Sequence, residues 1–87
     1  MIKIFQVDDT EWYAAETQEE AIAEAMRLTG EDRAFYEEET QGEVSDEAMD
    51  RLHFIEEDGI KKTFRQKLDE MIRAGEKFPC IFAMTEY

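Results

Sequence analysis

Three residue types that enzymes use as nucleophiles or acid–base groups occur once each in the 87-residue chain, as His53, Cys80 and Ser45. A general acid or base needs a positioned partner and a substrate cavity. His53 stands alone between Leu52 and Phe54, at an expected helix-to-strand junction, and reads as structural. Cys80, between Pro79 and Ile81 in the most apolar stretch, is expected to behave as an inert small hydrophobe. Ser45 lacks the Gly-x-Ser-x-Gly surroundings of a hydrolase elbow and suits a helix cap. Oxygen ligands cluster at Asp8-Asp9-x-Glu11 and Glu56-Glu57-Asp58-Gly59, but neither matches the alternating spacing of a calcium loop. No Cys/His pair has zinc spacing and no glycine loop suits a phosphate. The expectation is a non-enzymatic protein with no catalytic residue, no metal and no cofactor.

What remains as a source of chemistry is charge. The chain holds 23 Asp and Glu against 10 Lys and Arg, a net charge of -13 with a pI near 4.3. Residues 1–58 carry 19 acids and 4 bases, whereas 59–87 carry 4 acids and 6 bases. Mutual repulsion of this kind opposes compaction, repels nucleic acid and anionic membranes, and speeds encounter with basic surfaces. Carboxylates on a helix face can stand in for phosphates, so that a groove built for nucleic acid accepts them and releases its counterions in the same way. On this reading the contacts are Glu19, Glu20, Glu24, Glu37, Glu38, Glu39, Glu43, Asp46, Glu47 and Asp50. The partner would be a basic protein surface, with no direct nucleic acid and no membrane. Three alternatives stay open: acidic faces that serve solubility alone, a structural or assembly protein whose apolar surface makes a homo-oligomer, and an enzyme, which would need a closed pocket holding His53 with a carboxylate neighbour.

Elements must position those carboxylates. Ile2 to Val7, a turn at Asp8-Asp9-Thr10 and an apolar run from Trp12 to Ala15 predict a hairpin. Trp12 and Tyr13 then point to opposite faces. Thr17 with Glu20 forms a capping-box pattern, predicting a helix from Gln18 to about Thr29 with Ile22, Ala25, Met26 and Thr29 on one stripe, Ala21 and Leu28 at its margins, and Gly30 as its stop. Arg33 to Tyr36 fits a helical turn or an extended segment ahead of the acid run; the favoured reading is a short helical turn leading into a strand near Thr40 to Val44. Ser45 caps a brief helix through Leu52, with Ala48, Met49 and Leu52 inward. Strands His53 to Glu56 and Ile60 to Lys62 flank Asp58-Gly59, a turn dipeptide. Thr63 and Gln66 repeat the capping box before Phe64, Leu68, Met71 and Ile72, and Gly75 ends that helix. Phe78 to Thr85 reads as an apolar strand, expected centrally in the sheet beside the first strand. The expected fold is a single α+β domain over residues 1–87, a mostly antiparallel sheet with three helices packed mainly on one face.

Length restricts the chain to a modest core without room for a second lobe, and 43% hydrophobic content argues against disorder. One cysteine excludes an internal disulfide framework. No apolar run approaches the roughly 20 residues that cross a bilayer, and Met1 to Gln6 runs directly to Asp8-Asp9, so no leader is expected and a cytoplasmic location follows. The segment Glu11-Trp12-Tyr13-Ala14-Ala15-Glu16 leading to Glu19-Glu20-Ala21-Ile22, with the closing Phe78-Pro79-Cys80-Ile81-Phe82-Ala83, resembles small acidic accessory proteins of bacteriophages and mobile elements, anti-CRISPR and anti-restriction inhibitors among them. That resemblance implies a bacterial host cell, a non-enzymatic inhibitor and a basic, nucleic-acid-binding target. It carries over no catalytic residue. The basic stretch Lys61-Lys62-Thr63-Phe64-Arg65 departs from a uniformly acidic mimic.

Overall fold

A computed structural model describes residues 1–84 as an α+β fold of two compact units. The first unit contains residues 1–44 and 77–84; the second is Ser45–Glu76.

In the first unit, strands β1 (Lys3–Asp8) and β2 (Glu11–Ala15) form the predicted antiparallel hairpin. Asp8 shapes its turn by accepting the backbone N–H of Thr10 at 2.8 Å and the Thr10 hydroxyl at 3.1 Å. Helix α1 (Gln18–Thr29) starts where Thr17 accepts the Glu20 N–H and stops at Gly30, whose φ of 81° places it in the left-handed region that favours glycine. Helix α2 (Arg33–Glu39), capped by Asp32, is a full two turns rather than a single turn. It leads to β3 (Gly42–Glu43) and, after the second unit, the chain returns as β6 (Cys80–Met84).

The sheet order is β3-β1-β2-β6. The last strand therefore lies beside the second strand, not the first, and at an edge, not the centre. β1 has no free side to offer it, because β2 occupies one edge and β3 the other, where Val44 donates to Ile4 O and Gln41 to Gln6 O. An uncharged pentad tells that both faces of β6 avoid charge; it does not tell that both edges are paired. Thr85, the expected end of that strand, lies outside the described residues.

Alternation along β1 and β2 places Phe5, Val7, Tyr13 and Ala15 on one face, where they pack with Ala21, Ile22 and Ala25 of α1 and Tyr36 of α2, with Met26 against them. Leu28, expected at the margin of the α1 stripe, is exposed. Trp12 is half-buried while Tyr13, its neighbour, is fully buried, in line with their opposite directions.

The second unit pairs α3 (Asp46–Arg51), β4 (His53–Ile55), β5 (Lys61–Thr63) and α4 (Phe64–Arg73). Ser45 caps α3 by accepting the Ala48 N–H at 3.2 Å. Strands β4 and β5 form an antiparallel pair, joined through Asp58-Gly59. The Thr63–Gln66 capping box is complete in both directions, and α4 closes on Gly75 with the paired bonds Gly75 N–H to Ile72 O and Glu76 N–H to Met71 O. Met49, Phe64 and Leu68 are its buried side chains, whereas Ile72 is exposed.

Candidate functional site

The ten carboxylates singled out by charge divide by what already holds them. Glu19 accepts from Arg33 at 2.9 Å, and Glu24 accepts from Arg27 Nε and Nη2 at 2.9 and 2.6 Å. Glu43 pairs with Lys3, Glu47 with Arg51 one helical turn on, and Arg65 reaches both Asp46 and Asp50. The Arg27 partnership holds the Glu24 carboxyl below the usual range. Glu19 and Glu20 also lie in the first turn of α1, and Asp46 and Glu47 in that of α3, where the helix dipole favours negative charge. These residues have a structural use that needs no partner molecule.

Glu37, Glu38 and Glu39 differ. They crowd the last turn of α2, the negative end of the helix dipole, where no base sits in that turn and none of the described cations pairs with them. Glu37 and Glu38 are exposed and Glu39 is half-buried. On the same helix Phe35 is exposed at 36% and meets the buried Tyr36 ring edge-on at 5.0 Å. Residues 1–44 contain 13 acids and three bases, so most of the surplus charge resides in the first unit.

A second acidic feature is internal. Asp8 and Glu11 face each other as the last rung of the β1–β2 hairpin, with exposures of 9% and 7%. A register shift after Gln6 brings them opposite one another. The Tyr13 hydroxyl donates to Glu11 Oε1 at 2.9 Å. Thr29 donates its own proton to Ala25 O, so the Tyr36 hydroxyl is the donor in its 2.7 Å contact with Thr29 Oγ1. Burial, and next a hydrogen bond with the Asp8 carboxyl, push Glu11 up to about 7, against the opposing pull of the Tyr13 donor. The Tyr13 phenol is raised by burial and then by its bond to Glu11, and Tyr36 is raised chiefly by burial. The acid cluster Asp8-Asp9-x-Glu11 is thus split, since Asp9 accepts the Gln41 amide at 2.9 Å instead. Sequence reasoning weighed these residues as ion ligands and missed their burial. Strand parity was the available signal: Glu11, Tyr13 and Ala15 share one face of β2, and that face is the core face.

Of the singly occurring residues, His53 is exposed on β4 opposite Thr63, and Ser45 serves as a cap. Cys80 is half-buried at the start of β6, more accessible than a central strand would have left it. In the second unit a cleft of about 460 Å³ is lined by Lys61, Lys62, Asp69, Glu70 and Arg73 among others. Lys62 is held there by Glu70 at 2.7 Å and by Glu56, so part of the basic stretch is neutralised within the unit. Among the described residues no three His, Cys, Asp or Glu side chains converge as a metal site, and no helix is long and apolar enough to cross a membrane. Comparison of the chain with protein-family models, curated proteins and solved structures finds no match.

Proposed function

We propose that the chain is a small non-enzymatic interaction protein that offers carboxylates to a basic groove of a nucleic-acid-binding host protein, in the manner of a phage-encoded inhibitor of the anti-CRISPR kind. The observation that carries this reading is the placement of Glu37, Glu38 and Glu39 at the end of α2. There they oppose both the helix dipole and one another, so they cost the fold stability and are not explained by it. A groove lined with Lys and Arg would relieve that repulsion on binding, releasing its counterions as it would for phosphates. Phe35 beside them presents a ring on which an arginine of the partner can stack. The paired carboxylates Glu19, Glu24, Glu43, Asp46, Glu47 and Asp50 contribute to the field more than to direct contact, because each would have to leave an internal base. Glu20 pairs with no base among the described residues and extends the exposed set along α1. The bacterial cytoplasm is the proposed setting.

The test is capture from a bacterial lysate at low and high salt by the wild-type chain and by a variant with Glu37→Lys, Glu38→Lys and Glu39→Lys. Wild type should retain a basic protein at low salt and lose it to high salt or to added duplex nucleic acid, while the variant retains none. Capture that survives all three substitutions, or that duplex nucleic acid leaves untouched, overturns the reading.

A further inference from the structure

The Asp8–Glu11 pair stands apart from the surface carboxylates, and nothing in the partner-binding reading uses it. Two acids that close the same hairpin and are both nearly excluded from solvent can hydrogen-bond to each other only if one of them keeps a proton. We propose that this pair is a proton-operated latch: with one proton shared between Asp8 and Glu11 the closed end of the β1–β2 hairpin is held, and loss of that proton leaves two buried negative charges that loosen it.

Among the described residues the surroundings offer no relief for the second charge. From β1 the facing groups are Asp8 and the Thr10 turn that binds it; from β2, Tyr13, whose hydroxyl already donates to Glu11. From α2 comes the Tyr36 phenol, which is raised first by burial and further by both carboxylates, and is already donating to Thr29. From α1 comes Glu24, which acts on Tyr13 and is itself held by Arg27, and from the loop after it Glu31, which acts on Tyr36. On β6 the residue opposite Glu11 is Met84, which carries no charge. None of the described groups acting on Glu11 is a base. The two available phenols are buried and hard to ionise, so they supply hydrogen bonds but no counter-charge.

The sign follows from linkage. Glu11 is raised from 4.5 to about 7 in the folded chain, so the fold binds the proton more tightly than the unfolded chain does. Its stabilisation is fully present below the ordinary glutamate range and is lost as pH rises through about 7. Between pH 5 and pH 8 the unfolding equilibrium constant should increase about 70-fold from this group alone. That direction is opposite to the usual carboxylate, which favours the fold once ionised.

Urea unfolding from pH 5 to pH 8 of the wild-type chain and of Glu11→Gln tests this. Glutamine keeps an oxygen for Tyr13 and gains an N–H for Asp8, and it cannot ionise. The wild type should weaken by about 70-fold relative to the variant across that range, groups remote from the pair acting equally in both. Parallel profiles overturn the proposal. A second measurement needs no variant: the Glu11 side-chain carboxyl carbon followed by NMR in the wild-type chain should titrate near neutrality, and a midpoint in the ordinary range for exposed carboxylates overturns it as well.

Discussion

Exchanging Glu37 and Glu38 for lysine should make the protein more stable, an outcome that separates function from folding at α2. Both side chains are exposed, in the final turn of a seven-residue helix without a base in that turn. A charge at a helix end interacts with the dipole by about 0.3–1 kcal/mol at low ionic strength. Reversing two unfavourable charges also removes the repulsion among three consecutive acids, so a gain of about 1 kcal/mol is a conservative expectation. For a domain of this size that raises Tm by roughly 4–8 °C. Because the Debye length shrinks to about 3 Å at 1 M salt, most of the gain should vanish there. Thermal unfolding followed by circular dichroism at 20 mM and 1 M salt, on wild type and Glu37→Lys/Glu38→Lys, reads both effects. A variant that melts lower than wild type at low salt, or a gain that persists unchanged in 1 M salt, refutes the claim that these acids burden the fold.

Other perturbations probe what holds the two units. Ile22→Ala removes a side chain that is 2% exposed in the core of the first unit and should cost about 3 kcal/mol, whereas Ile72→Ala, at a residue 49% exposed, should change stability by less than about 0.5 kcal/mol; denaturant melts of both give the contrast. Tyr36→Phe deletes the 2.7 Å bond to Thr29 while leaving the Thr29 bond to Ala25 intact, for a loss of about 1 kcal/mol by the same assay. Thr63→Ala breaks one arm of the α4 capping box and should cost about 1 kcal/mol, with faster amide exchange at Gln66, whose N–H the Thr63 hydroxyl accepts.

Local rules made much of the fold legible. Capping residues Thr17, Ser45 and Thr63, the stop glycines Gly30 and Gly75, and the hairpin around Asp8-Asp9-Thr10 all act through bonds within a few residues, so their chemistry is written in short stretches of chain. The extent of α2 was less legible, because three adjacent glutamates at its end argue against a helix that packing of Tyr36 into the core sustains. The candidate surface was legible as charge but not as contacts. Which acids are already paired, as Asp46 and Asp50 are with Arg65 across 19 and 15 residues, depends on separations that no local pattern records.

Sequence alone therefore determined the anionic excess, the α+β character and most element boundaries, since each follows from composition or from neighbours along the chain. Tertiary structure decided the place of β6 at the sheet edge beside β2, because strand order depends on which edges other strands have already taken. It also decided the fate of individual carboxylates. The same side-chain chemistry is solvated at Glu37, neutralised at Glu24 and buried against another acid at Glu11, and only the folded chain sets the dielectric and the neighbours that make those three behave differently.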